Sequence, residues 1–266
     1  MSRFVIIFTD LDGTMISHTD YSYGNLEQIL KDLEADKDQY IVIPCTSKTE
    51  AEVLDFGKKI GLNGPYIVEN GGKIIPADSG IFATFRDQFA VPVSQIWELL
   101  DSFPLRIRKS LKCFHEMSVA QIAQLTGLEV FDAANAKKRK HSVVFAPIKE
   151  DDILLEIEDL LKNSEYKLAK GGRFFHVIGK RDKARAAQQL IQWGLDNRVD
   201  DNCEVWAFGD APNDLSLLKL ADKSTIIRNN EISQKQLISL LPSAYVSKKK
   251  APEGWCESLE VLKGIV

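Results

Sequence analysis

The chain opens with short, almost purely apolar runs separated by segments whose apolar residues return every third or fourth position. Phe4 to Phe8, Tyr40 to Cys45 and Tyr66 to Val68 are the first runs. A brief continuous apolar run suits a strand buried on both faces. Between the first two, Leu26, Ile29, Leu30 and Leu33 fall on one face of a helix. Thr49 and Glu52 have capping-box spacing and open a second helix through Val53 and Ile60. The last part of the chain repeats the alternation. Lys183 to Trp193, Asn213 to Leu220 and Ile232 to Leu241 read as helices, and Val205 to Phe208, Thr225 to Ile227 and Ala244 to Val246 as strands. Strand and helix in alternation predict an α/β fold around a parallel sheet.

The middle follows another rhythm. Helical segments at Ser94 to Leu100, Val119 to Leu125 and Asp152 to Leu161 mix with strand-like Ser142 to Phe145, Tyr166 to Ala169 and Phe174 to Ile178. Gly171-Gly172 is a hairpin signal, so the last two of these strands should pair antiparallel. The expected organisation is a core made of residues 1–80 and 181–266, with an α+β domain inserted at 81–180.

Composition narrows the function classes. With 44% hydrophobic residues, 27% charged residues and a net charge of −4, the chain reads as an ordinary globular protein, without the basic balance of a nucleic-acid or lipid-surface binder. The basic runs Lys137-Lys138-Arg139-Lys140 and Lys248-Lys249-Lys250 read as solvated faces. No stretch approaches the ~20 apolar residues of a membrane span. Cys45, Cys113, Cys203 and Cys256 have no paired spacing, so a reduced, cytoplasmic protein is expected.

The candidate chemistry lies at the strand ends. Phe4 to Phe8 runs into Asp10-Leu11-Asp12-Gly13-Thr14, Ile41 to Cys45 into Thr46-Ser47-Lys48, and Val205 to Phe208 into Gly209-Asp210-Ala211-Pro212-Asn213-Asp214. In a parallel sheet these ends share one edge, where such folds bind ligands. Asp10, Asp12, Thr46, Asp210 and Asp214 should therefore meet. Clustered carboxylates need a hard cation among them, and all-oxygen ligation favours Mg²⁺. Thr46 offers a hydroxyl and an N–H to a phosphate oxygen, and Thr46 and Ser47 suit both helix capping and phosphate binding. Lys183 supplies the expected lysine, with Lys180 as its competitor. One carboxylate so placed can attack phosphorus and form an aspartyl-phosphate.

The Asp10 to Thr14 segment, Thr46, Lys183 and the Gly209 to Asp214 segment resemble, in order, the four motifs of the haloacid dehalogenase superfamily. The resemblance implies a Rossmann-like core in which Asp10 is the nucleophile and Asp12 the acid and base. Thr46, Ser47 and Lys183 would hold the phosphoryl group. Asp10, Asp12 (through its carbonyl) and Asp210 would bind Mg²⁺, with Asp214 and Asn213 orienting the metal's waters. The insertion resembles the superfamily's type-two caps, with hinges expected near Ser79-Gly80 and Gly179. Within the superfamily, Thr46 to Thr49, Glu69-Asn70-Gly71-Gly72, Ala136 to Arg139 and Gly171 to His176 resemble the mannosyl-3-phosphoglycerate phosphatase family. That likeness implies hydrolysis of a glycosyl-3-phosphoglycerate, a small-molecule substrate, with Arg139, Arg173 and His176 as cationic contacts from the cap. A phosphatase of sucrose phosphate or of many sugar phosphates, a phosphomutase and a non-catalytic receiver module remain alternatives. His18, His115 and His141 lack ligand spacing and are expected to be ordinary surface residues.

Overall fold

A computed structural model describes residues 4–36, 39–146, 151–171, 174–197, 203–230 and 232–265. The strands run in chain order as β1 (Phe4–Thr9), β2 (Gln39–Pro44), β3 (Tyr66–Val68), β4 (Lys73–Ile75), β5 (Ser142–Phe145), β6 (Tyr166–Gly171), β7 (Phe174–Gly179), β8 (Cys203–Gly209), β9 (Lys223–Ile226) and β10 (Tyr245–Val246). Five of them form a parallel sheet in the order β10-β9-β8-β1-β2.

The apolar run of β1 explains its central place. Phe4, Ile6 and Phe8 point to one face and pack with Ala186, Ala187 and Leu190 of the helix Lys183–Asp196. Val5 and Ile7 point to the other and pack with Leu26, Leu30 and Leu33 of the helix Leu26–Glu34. Each aliphatic side chain so buried contributes ~1.5–3 kcal/mol. Register then fixes the edge, because Thr9 lies opposite both Pro44 and Phe208. The residues that follow these three, Asp10, Cys45-Thr46 and Gly209-Asp210, emerge side by side.

A separate antiparallel cap sheet has the order β5-β7-β6. The pairing of β6 with β7 matches the hairpin expectation, although the turn, Gly172 and Arg173, lies outside the described residues. Val143, Phe145 and Val177 face the helices Val93–Asp101, Leu105–Ser110 and Asp151–Leu161. Val144 and Phe174 face a smaller cluster with Phe114, Ile122 and Ala133.

Several elements escaped the periodicity reading. The strand β4 and the helices Leu105–Ser110 and Val130–Ala136 are too short for a clear period, and the helix Glu253–Lys263 was missed although Trp255, Leu259 and Leu262 share one face. The expected helix from Asn213 begins as a 3₁₀ turn, Pro212–Asp214, and becomes α-helical at Leu215–Leu220. Among the described residues no helix is long and apolar enough to cross a membrane.

The segment Glu69-Asn70-Gly71 links the sheet edge to the helix that carries Lys183. All three residues have left-handed backbone, at φ 51°, 59° and 96°. A Cβ on Gly71 would lie 2.3 Å from the carbonyl carbon of Asp182, so only glycine lets the two backbones touch. Arg181 closes the joint. It donates to the carbonyls of Gly71 and Gly72 and forks onto Asp87 at 2.6 and 2.8 Å. Gly71→Ala should destabilise the protein by about 1–3 kcal/mol in a denaturation experiment. Gly61→Ala, at φ 77° with open space around the site, should cost less. Equal losses would show that contact with the Asp182 backbone is unimportant.

Candidate active site

The three strand ends deliver a buried cluster of acids around one lysine. Lys183 begins its helix directly after the cap residue Asp182, whose carboxylate accepts from the Arg185 N–H. Its stem crosses the interior, and its Nζ donates at 2.7 Å to both Asp10 Oδ1 and Asp214 Oδ1. Asp10, Asp210 and Asp214 are all buried, and each offers an oxygen within 4.8 Å of the others. Lys180 is exposed and lies outside this cluster.

Each acid has a different environment. Asp214 Oδ1 is held by Lys183, while Oδ2 accepts the N–H groups of Asp210 and Ala211 at 3.2 and 3.3 Å. Its carboxylate is thus occupied in bracing the loop and the lysine. Asn213 beside it is only partly exposed. Asp210 Oδ2 accepts from Asn229 Nδ2 at 2.9 Å and faces His18 Nε2 at 3.2 Å, and Thr14 Oγ1 approaches Oδ1 at 3.4 Å. The Asp12 side chain turns away from the cluster and pairs with Lys48, Nζ to Oδ1 3.1 Å.

The charges do not balance. Burial pushes Asp10 up to about 8, with Asp214 and Asp210 adding to the rise against Lys183. Burial likewise raises Asp210, which its bond to His18 only partly offsets. Burial works against the Lys183 charge too, but Asp10 and Asp214 outweigh it and hold the ammonium above the ordinary lysine value. Three carboxylates around one ammonium, with His18 at the edge beside Asp210, leave an excess of acid in the cluster. A divalent cation bound by oxygen offsets that excess, so the residues present fit one.

Thr46 is buried at the strand end, but its N–H is donated to the Ile67 carbonyl at 2.9 Å, which removes that donor from a ligand. Its hydroxyl accepts from the Lys48 N–H at 3.2 Å. Among the described residues the Ser47 N–H has no acceptor, so it is the loop's available donor. The Thr46-Ser47-Lys48 loop is held from behind by the N–H groups of Glu69 and Asn70, which donate to the carbonyls of Lys48 and Thr46.

The cap contacts differ more from expectation. Arg139 reaches the core, but its Nη1 donates to the Ser47 carbonyl and Ser142 Oγ, both at 3.1 Å. That end of the guanidinium fastens the cap sheet to the loop that holds Ser47. His176 is 3% exposed on the middle strand of the cap sheet, opposite Val144 and Ala169. In this arrangement it is screened from the site. Arg173 lies outside the described residues.

Sequence reading missed several participants. His18 is not an ordinary surface residue, because it packs on Asp210 and that bond raises its pKa. Gly13 makes this possible, since a Cβ there would meet His18 Nε2 at 2.3 Å and Asp210 Oδ2 at 2.5 Å. Glu69 is 1% exposed and accepts the N–H groups of Lys140 and His141 at 3.0 and 3.1 Å and the Ser142 hydroxyl at 2.5 Å. No spacing rule marks a glutamate that reaches seventy residues ahead. Asn229 and Arg181 were equally silent.

Comparison with known proteins agrees with the geometry. A family model described as haloacid dehalogenase-like hydrolase matches residues 7–240. This chain belongs to the haloacid dehalogenase-like hydrolases. The hydrolase is 31% identical over 264 residues to the glucosyl-3-phosphoglycerate/mannosyl-3-phosphoglycerate phosphatase of Persephonella marina, covering 96% of each chain. It is 27% identical over 269 residues to the protein of the same name from Methanococcoides burtonii, covering 97% of each. Its fold matches the solved structure of a haloacid dehalogenase-like hydrolase from B. subtilis with a TM-score of 0.67 at 15% identity, over 98% of this chain and 99% of that one.

The raised Asp10 pKa gives a test of the charge imbalance. A carboxyl that holds its proton more tightly when folded favours the fold below its ordinary value of 3.8, and that stability is lost as pH rises through about 8. The melting temperature of metal-free protein should therefore fall between pH 5 and pH 8. Added Mg²⁺ should restore more of it at pH 8 than at pH 5. Asp210→Asn should blunt the restoration, and a metal effect equal at both pH values would contradict the charge argument.

Proposed function

We propose that this hydrolase removes the phosphate from a glycosyl-3-phosphoglycerate, mannosyl-3-phosphoglycerate foremost, to give the glycosylglycerate and inorganic phosphate. The observation that carries the chemistry is the Lys183 ammonium shared at 2.7 Å by Asp10 and Asp214. Support for the substrate class comes from the two relatives named for such substrates, which match nearly the whole chain.

In this reading the Asp10 carboxylate attacks phosphorus while the bond from phosphorus to the glycerate oxygen breaks. Lys183 fixes the attacking carboxylate and faces the incoming phosphoryl oxygens. Thr46 Oγ1 and the Ser47 N–H donate to those oxygens. Asp12 gives its proton to the departing alkoxide, then takes one from the water that attacks the aspartyl-phosphate. Phosphate leaves, and Asp10 is regenerated as a carboxylate. Asp10, Asp210 and the Asp12 carbonyl would hold Mg²⁺, which when bound neutralises the acids and polarises phosphoryl oxygens. Asp214 keeps Lys183 and the Asp210 loop in place, beside Asn213. Residues 81–180 act as the cap that carries specificity, with Arg139, Arg173 and His176 as its cations. The supported role of Arg139 is to join the cap to the Ser47 loop, and His176 requires the cap to shift before it meets substrate.

Phosphate release, measured across mannosyl- and glucosyl-3-phosphoglycerate, sucrose phosphate and simple sugar phosphates, tests the reading. The glycosyl phosphoglycerates should give the highest kcat/KM, and chelation should stop the reaction. Asp10→Asn should abolish turnover, and Asp12→Asn should slow it by about 10²–10⁴. Faster hydrolysis of sucrose phosphate than of either phosphoglycerate would overturn the substrate class. Substantial turnover by Asp10→Asn would overturn the covalent step.

A further inference from the structure

The two acids of the first motif each have a lysine of their own. Lys183 serves Asp10, and Lys48 serves Asp12. The second lysine has no part in the phosphoryl chemistry described above, yet it is enclosed as a functional group would be. Its side chain is 14% exposed, with Nζ 3.1 Å from Asp12, 3.8 Å from Glu52 and 5.2 Å from the centre of the Tyr21 ring. An ammonium has three donors. Asp12 engages one, and Glu52 is beyond hydrogen-bond length, so donors remain for another anion.

Position says which anion. If Asp12 protonates the leaving oxygen as proposed, one hydrogen bond added to the Asp12–Lys48 distance places Nζ within about 6 Å of that oxygen. In a 3-phosphoglycerate the ester carbon and the carboxylate carbon are separated by two carbon–carbon bonds of about 1.5 Å each. The carboxylate of a seated substrate thus falls within the reach of Lys48. The other cations near the cap junction each already bond to a protein group, although Arg139 Nε is buried without a partner. Arg139 Nη1 is bound to Ser47 and Ser142, Lys137 to the Met117 carbonyl, Lys138 to Asn135 and Lys140 to Glu50. His18 is bound to Asp210.

We propose that Lys48 reads the carboxylate of the phosphoglycerate from the core side of the site, and so sets the preference for carboxylated over uncharged leaving groups. This rests on the substrate class proposed above. The Tyr21 ring on the other side of Lys48 limits where the ammonium can move. Specificity then begins on the phosphate loop itself, two residues after Thr46, and the cap is left to recognise the sugar.

The test compares two substrates that differ only at this group: mannosyl-3-phosphoglycerate, and the same molecule with its carboxylate reduced to a hydroxymethyl. The readout is the ratio of their kcat/KM values within each protein. Wild type should favour the carboxylate. Lys48→Met should shrink the ratio by about 10- to 100-fold, mainly through KM of the carboxylated substrate, as expected for one lost charged hydrogen bond. Lys48→Arg should retain most of it. Lys48→Gln, which keeps a polar side chain of similar reach, is measured alongside in case the methionine variant folds poorly. A ratio unchanged from wild type in these variants, even with lower activity on both substrates, would overturn the proposal and leave Lys48 as a mere partner of Asp12. A wild-type enzyme with no preference between the two compounds would instead remove the phosphoglycerate reading, and this inference with it.

Discussion

The site depends on one ammonium group carried into the interior. Lys183 stands buried between Asp10 and Asp214, where an unpaired charge is costly and a paired one is held firmly. The rest of the architecture brings these groups together. The apolar run of β1 places Asp10 at the sheet edge, the register with β8 places the loop holding Asp210 and Asp214 beside it, and the helix Lys183–Asp196 returns the lysine. Gly71, Arg181 and Asp87 then set where that helix starts. Because three acids meet one lysine, the arrangement is electrostatically incomplete, which suits it to take up a cation and a phosphate dianion together.

Around this centre the Thr46-Ser47-Lys48 loop joins two layers. Its carbonyls accept from the backbone of Glu69 and Asn70 on one side and from Arg139 of the cap on the other. Glu69 in turn grips the backbone at Lys140 and His141. The left-handed backbone at Glu69 and Asn70 is uncommon for residues with side chains. It is held in place by Gly71, by the N–H groups from the cap and by the closely packed helix start.

Much of this could be read from the chain, for identifiable reasons. The continuous apolar runs of β1, β2 and β8 report burial on both faces, and the strand ends then carry their acids to one edge as a matter of geometry. Thr49 and Glu52 cap their helix as their spacing requires. The core acids and Lys183 converge because sheet order brings them together. What stayed hidden depends on side chains bridging distant segments. His18 finds Asp210, and Glu69 finds β5, through contacts that no local period encodes. Short elements such as Lys73–Ile75 and Val130–Ala136 stayed hidden because packing, not pattern, selects them. The Thr46 N–H illustrates a subtler limit: its use by Ile67 follows from how β3 meets the end of β2, which the sequence of the loop does not reveal.

The Glu69 carboxylate bonds mostly to main-chain N–H groups of the cap rather than to side chains. Main-chain donors persist whatever residues occupy 140 and 141, provided neither is proline. At Glu69 the seam between the layers is therefore blind to the side chains at 140 and 141, while Arg139 and Lys140 also join it through side chains of their own. Evolution is free to exchange other residues of the insertion, or an engineer to transplant a whole foreign insertion, while the Glu69 part of the join to the core survives if its backbone path is kept.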